Sequence, residues 1–162
     1  MTFEFQDVSD SWLAAVLALN ESAVPHVNSI DLGQMQWFAE HAAYFRIAVS
    51  GSALGGFLVG MRPGTDYASV NYRWFCNNYA DFAYIDRIVV APAARRQGLA
   101  QSFYSDFSAR CSGVPVMTCE VNIQPPNDSS LEFHSLQGFH QVGSQHTDGG
   151  AKEVALLAKE LK

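Results

Sequence analysis

The chain has 162 residues, 48% of them apolar and 12% aromatic, which is enough to bury a core and too apolar for a disordered chain. Ten Lys and Arg stand against sixteen Asp and Glu, a formal charge of -6, and the only adjacent cations are Arg95 and Arg96. That pair cannot neutralise a nucleic-acid backbone but suffices for one small phosphate group, so no nucleic-acid partner is expected. The apolar run from Ile47 to Met61 is interrupted and falls short of the about 20 residues that span a bilayer, so no membrane partner is expected either. The acidic start, with Glu4, Asp7 and Asp10, is the reverse of a secretory leader, and the expected location is the cytoplasm. Cys76, Cys111 and Cys119 lack C-x-x-C spacing and read as reduced thiols. None of the five histidines stands three or four residues from another, so no metal is assigned.

In chain order, Thr2 to Val8 alternates Phe3 and Phe5 with polar neighbours, a short strand. Asp10 is placed to cap a helix through Trp12, Leu13, Val16 and Leu17 that Pro25 ends, and Asp31 opens a second helix through Met35, Phe38 and Ala42. Tyr44 to Val49 and Ala53 to Met61 read as a hairpin around Ser50-Gly51-Ser52. From Arg62 to Asp81, polar residues interleave with Tyr67, Tyr72, Trp74, Phe75 and Tyr79, which reads as a long aromatic loop. Phe82 to Val90 is a strand; the segment from Ala91 to Gly98 leads into a helix with Leu99, Phe103 and Phe107 on one face. Val114 to Val121 is the next strand and Asn127 to Gln137 a short helix ended by Gly138. Phe139 to His146 and Lys152 to Leu161 close the chain as a hairpin, although the last segment is built of good helix formers.

Strand, basic glycine-containing loop and helix together form a phosphate-cradling arrangement, because the first helical turn offers unpaired amides and the positive end of the helix dipole. The loop Arg95-Arg96-Gln97-Gly98-Leu99-Ala100 fits R/Q-x-x-G-x-G/A and follows Ile88-Val89-Val90-Ala91-Pro92. Downstream, Asn127-x-x-Ser130-x-x-Phe133-His134-x-x-x-Gly138-Phe139 fits N-x-x-A/S-x-x-L/F-Y-x-x-x-G-F except at His134. In this order the two motifs resemble those of the GNAT superfamily of acyl-CoA-dependent N-acyltransferases, over nearly the whole chain.

The resemblance implies one domain over residues 1–162, of α/β (α+β) class. It would have a mixed, mostly antiparallel sheet of six to seven strands flanked by about four helices. It also implies acetyl-CoA as acyl donor, with the diphosphate held by Arg95, Arg96 and the amides of Gln97, Gly98, Leu99 and Ala100. Ile88, Val89 and Val90 would bind pantetheine along a strand that splays from its neighbour, and the Val90 N-H would face the oxyanion. Either Arg reads equally as a solvated surface cation, and Asn127 either contacts CoA or caps its helix.

Acyl transfer to an amine needs a base for the ammonium and an acid for the thiolate. Glu120 resembles the glutamate that ribosomal-protein acetyltransferases place on the strand before the Asn-containing helix, with a bound structural carboxylate as its alternative. Asp86, on the same strand face as Tyr84, Ile88 and Val90, is the second candidate base, or one half of an ion pair. His134 stands where the superfamily has its tyrosine acid, and it reads either as that acid or as a structural hydrogen-bonding residue. Tyr84 and Tyr104 are the other phenols for that role. The superfamily's acceptor region maps here to residues 20–29 and 67–79, which offer Glu21, Tyr72 and Trp74 to a small-molecule or peptide amine.

Three functions fit these residues. The leading one is direct acetyl transfer from acetyl-CoA to a primary amine in a ternary complex. The second is a non-catalytic acyl-CoA-binding module, and the third a transferase of longer acyl groups. Homodimers are the habit of the superfamily.

Overall fold

The computed structural model describes residues 1–161. The apolar stretches of the sequence become seven strands: β1 (Glu4–Asp7), β2 (Tyr44–Ser50), β3 (Ala53–Met61), β4 (Ala83–Val90), β5 (Val116–Gln124), β6 (His140–Thr147) and β7 (Lys152–Glu160). They form one sheet in the order β1-β2-β3-β4-β5-β7-β6. The β1-β2, β2-β3, β5-β7 and β6-β7 ladders are antiparallel, and β4 runs parallel to β5 with Ala83 opposite Met117 and Tyr84 opposite Thr118. The expected mixed, mostly antiparallel sheet is therefore present. It is accompanied by five α-helices where about four were expected: α1 (Leu13–Ser22), α2 (Leu32–His41), α3 (Val70–Asn78), α4 (Leu99–Arg110) and α5 (Asp128–Leu136).

Two compact groups of elements make up the chain. One comprises Met1–Met61 and Arg87–Phe107, the other Arg62–Asp86 and the residues from Ser108 onward, and β4 contributes a half to each. In the first group, the Asp31 carboxylate caps α2 by accepting from the Gln34 amide at 2.8 Å, as its place in the sequence requires. Asp10 does not cap α1. It opens a 3-10 turn, Asp10–Trp12, and α1 begins after Trp12 with no side-chain cap. The helices bury Leu13, Val16, Met35 and Phe38. The apolar face of α4 is the one its spacing predicts: Phe103 meets Phe5 at 4.4 Å between ring centroids and Phe107 meets Tyr44 at 4.8 Å.

Close backbone approach sets one residue of β3 absolutely. A β-carbon on Gly56 would stand 2.7 Å from the Val89 carbonyl oxygen, closer than any real contact, so only glycine lets β3 lie against the second half of β4. The Ala91 amide donates to the Gly55 carbonyl at 2.8 Å and fastens the end of β4 there.

In the second group, the stretch read as a loop contains α3. The Ser69 hydroxyl accepts from the Tyr72 amide at 3.3 Å and caps it, and Tyr72 and Phe75, three residues apart, turn one face inward. Those rings meet Phe82 and Tyr84, with centroids 6.0 Å apart for Tyr72 and Phe82 and 5.7 Å for Phe75 and Tyr84. Asparagine and aromatic residues are weak helix formers, so packing and the cap decide this segment where propensity does not. The opposite conflict is resolved at the C-terminus. Val154 to Ala158 is wholly buried in β7, between β5 and β6, and a strand covered on both faces reads as a continuous apolar run.

Gly56→Ala is expected to lower stability by about 2 kcal/mol, the ordinary effect of overpacking a filled core, because the atom nearest the new methyl, the Val89 carbonyl oxygen, is backbone and cannot swing aside. Urea unfolding of the two proteins measures it.

Candidate active site

The loop between β4 and α4 has the backbone that anion binding needs. After a short 3-10 turn at Pro92–Ala94, Arg96 and Gly98 both take positive φ, at 61° and 75°, with Gln97 between them on the ordinary side. Such alternation turns successive amides toward one concave side. An arginine held there costs on the order of 1 kcal/mol, and strain of this kind gathers at ligand clamps. A β-carbon on Gly98 would meet nothing within 4 Å, so its glycine is required by conformation and leaves open space over the amides.

Residues 95 to 98 are exposed, whereas Leu99 is buried and anchors the first turn of α4. The two arginines divide: the Arg95 guanidinium folds back to donate to the Val90 carbonyl at 3.4 Å, and Arg96 is exposed on the loop surface. Gln97 donates to the Ala93 carbonyl at 3.2 Å. In the same group, Arg87 is 5% exposed; it lies over the Phe38 ring at 5.1 Å and donates to Asn20 Oδ1 at 3.0 Å and Asn28 Oδ1 at 2.7 Å. It thereby ties β4 to the α1–α2 connection.

A cluster of carboxylates and phenols occupies the second group. Tyr84, with 0% exposure, donates its hydroxyl to Glu120, whose oxygens lie 2.9 and 2.8 Å away. The Asn71 amide donates to Glu120 Oε1 at 3.3 Å, and Gln145 donates to Asn71 Oδ1 at 2.9 Å. Tyr67 donates to Asp86 Oδ1 at 2.6 Å. Burial first, then the negative charges at Glu120 and Asp86, push the Tyr84 phenol well above the ordinary tyrosine range. Tyr84 therefore keeps its proton and acts as a fixed donor to Glu120. Cys119, beside Glu120, is 3% exposed, and burial followed by that same charge pushes its thiol well up. A thiol so held is not a nucleophile near neutral pH.

His134 is 4% exposed, between Phe133 and Phe139 at centroid distances of 5.2 and 5.1 Å. Its Nδ1 lies 2.7 Å from the Ser130 carbonyl, an acceptor only, so Nδ1 carries the hydrogen and Nε2 of the neutral ring does not. Burial lowers its pKa despite that bond. At neutral pH the ring is therefore uncharged, with its hydrogen directed at the Ser130 carbonyl. Asn127 caps α5, its side chain accepting from the Ser130 amide at 3.4 Å.

Residues expected at the acceptor site are placed differently from one another. Glu21 accepts from the Ser29 hydroxyl, from Asn20 Nδ2 at 2.8 Å and from the Ile30 amide at 3.3 Å, so it organises the turn after α1. The Ser29 bond is the first cause holding its carboxyl below the usual range. Tyr72 is buried and donates to the Arg62 carbonyl at 2.7 Å. Trp74 is half-buried, and a β-carbon on Gly143 would lie 2.7 Å from its ring. Asn71, Gln145 and Tyr67 were not singled out from the sequence. The cap at Ser69 is the signal that would have put Asn71 and Trp74 on a helix. Among the described residues no His, Cys, Asp or Glu side chains gather in a group of three or more that could hold a metal ion, and no helix is long and apolar enough to cross a membrane.

Residues 12–139 match the family described as the acetyltransferase (GNAT) family. Similar solved structures include Ard1 from Thermoplasma volcanium, at 14% identity and TM-score 0.79, covering 100% of this chain and 99% of that one. Arabidopsis thaliana NAA60 in complex with acetyl-CoA is 15% identical, with TM-score 0.78 and 99% of each chain covered. The ribosomal-protein-S18-alanine N-acetyltransferase from Escherichia coli is 14% identical, with TM-score 0.72, covering 99% of this chain and 95% of that one. No curated protein sequence matches significantly.

The buried neutral His134 sets a pH dependence of stability. With its folded pKa below the unfolded value of about 6.5, the unfolded chain binds the extra proton, so stability falls as pH drops through that value. Urea unfolding between pH 7.5 and 5.5 is expected to show this loss, and His134→Asn, which keeps a donor for the Ser130 carbonyl, to reduce its slope.

Proposed function

Because the chain belongs to the GNAT acetyltransferase family, we propose that residues 1–162 act as one domain that moves an acetyl group from acetyl-CoA to the primary amine of a small molecule or peptide. The observation that carries this reading is Glu120, a carboxylate held by a phenol that keeps its proton. In the proposed reaction Glu120 takes one proton from the acceptor ammonium, because an alkylammonium has no lone pair to attack with. The amine nitrogen then bonds to the thioester carbon. As the carbon-sulfur bond breaks, the second proton passes from nitrogen to the departing thiolate, which leaves as free CoA.

The loop residues Arg95, Arg96, Gln97, Gly98, Leu99 and Ala100 would hold the diphosphate of acetyl-CoA, supported by the alternating φ at residues 96 to 98. Backbone groups of Ile88, Val89 and Val90 would hold the pantetheine, with the Val90 amide facing the developing oxyanion. Asn127 serves as a cap and need not touch CoA. Asp86, engaged by Tyr67, shapes the electrostatics around Tyr84 and is not assigned the proton transfer. Transfer is direct. Cys119, protonated and buried, supports a route with no acetyl-cysteine. The buried, neutral His134 favours one second reading, a module that binds acyl-CoA without transferring the acyl group.

Thiol release from acetyl-CoA with a panel of small amines and short peptides separates the two readings. Turnover with at least one amine, lowered about 100-fold or more by Glu120→Gln and largely kept by Cys119→Ala, is the expected result. Binding of acetyl-CoA without turnover on any amine would favour the binding module.

A further inference from the structure

Glu120 is the end of a chain of two amide donors from elements remote in sequence, and neither donor belongs to the motifs. Asn71 lies in the first turn of α3 and gives its amide hydrogen to Glu120 Oε1 at 3.3 Å. Gln145 lies on β6 and gives its own amide hydrogen to Asn71 Oδ1 at 2.9 Å. The second bond fixes the first. An asparagine amide can turn over and present oxygen where nitrogen stood, but with its oxygen engaged by Gln145 the nitrogen must face the carboxylate. α3 itself is held by Tyr72 and Phe75 in the core and by Trp74 over Gly143 of β6, so both donors sit on anchored elements.

We propose that Asn71 is a positioning residue for Glu120, oriented by Gln145, and that α3 thereby sets the direction and basicity of the carboxylate that the proposed function assigns as base. The inference rests on that function for its catalytic meaning but not for its geometry. A carboxylate accepting an amide hydrogen is favoured in its charged form, so loss of the donor makes Glu120 easier to protonate. Titratable groups beside Glu120 include Tyr84 on β4, which keeps its proton, and the neighbouring protonated Cys119; Asp86, two residues beyond Tyr84, acts on that phenol. None of them is altered by a change at Asn71. Replacing Asn71 by aspartate removes the hydrogen and adds a like charge, so its effect must exceed that of alanine in the same direction.

The test is a carboxyl-carbon NMR titration of the full chain labelled at glutamate, with Glu120→Gln identifying the Glu120 resonance. Asn71→Ala is expected to raise the Glu120 midpoint by about one pH unit, the amount a single hydrogen bond to a charged group supports. Asn71→Asp should raise it further and Gln145→Ala by a smaller amount. Gln145 is only half-buried, so its variant folds and remains informative if the Asn71 variants do not. Unchanged midpoints in folded variants, or equal behaviour of the alanine and aspartate proteins, would overturn the positioning role. Wild-type turnover by Glu120→Gln with the shifts present would overturn the base assignment and leave the positioning intact.

Discussion

A tyrosine with no exposed surface must find a partner for its hydroxyl, and in this protein the partner is a carboxylate. The bond from Tyr84 to Glu120 joins neighbouring parallel strands shortly beyond the point where Tyr84 stands opposite Thr118. Much around it follows from keeping that phenol buried and the pair oriented. Tyr72 and Phe75 lie against the phenol ring, which requires α3 to fold against β4. Folding α3 there delivers Asn71 to the same carboxylate and Trp74 to the glycine of β6. Burial raises the phenol above its ordinary range, and the raised phenol is what makes it a dependable donor.

The second demand on β4 lies in its other half. After Arg87 the strand runs to Val90 with the β3 glycine against the Val89 carbonyl, and then into a loop whose backbone conformation, more than its charges, suits it to an anion. One of the two arginines there returns to the strand and steadies the loop. Charge at the loop rests on the other arginine, while the amides provide direction. A single strand thus carries a buried phenol near its start and leads into a loop with left-handed residues at its end.

Legibility from sequence followed the range of the interactions involved. Strands β2 to β4, α2 and the buried face of α4 rest on periodicity and a local cap, and these are visible in ten or twenty consecutive residues. β7 is composed of helix formers, yet the Asp148-Gly149-Gly150 turn and the unbroken apolar run from Val154 to Ala158 mark it as a strand covered on both faces. α3 was hidden because its asparagines and aromatics are poor helix formers and its cap, Ser69, stands among other polar residues. Glu120 and Asp86 could be singled out by residue type. Asn71 and Gln145 could not, since their meaning lies in a contact between residues 74 positions apart. His134 was legible as a departure from a motif, but its role depends on burial and on which ring nitrogen bears hydrogen, and neither is written locally.

The proposed function requires the loop from Arg95 to Ala100 to receive the diphosphate of an acyl-CoA, and calorimetric titration of the purified chain with acetyl-CoA is the direct test. Micromolar binding that free acetate does not reproduce, and that is weakened when valine replaces the left-handed Gly98, is the predicted result. Absence of binding by protein that is fully folded would contradict it.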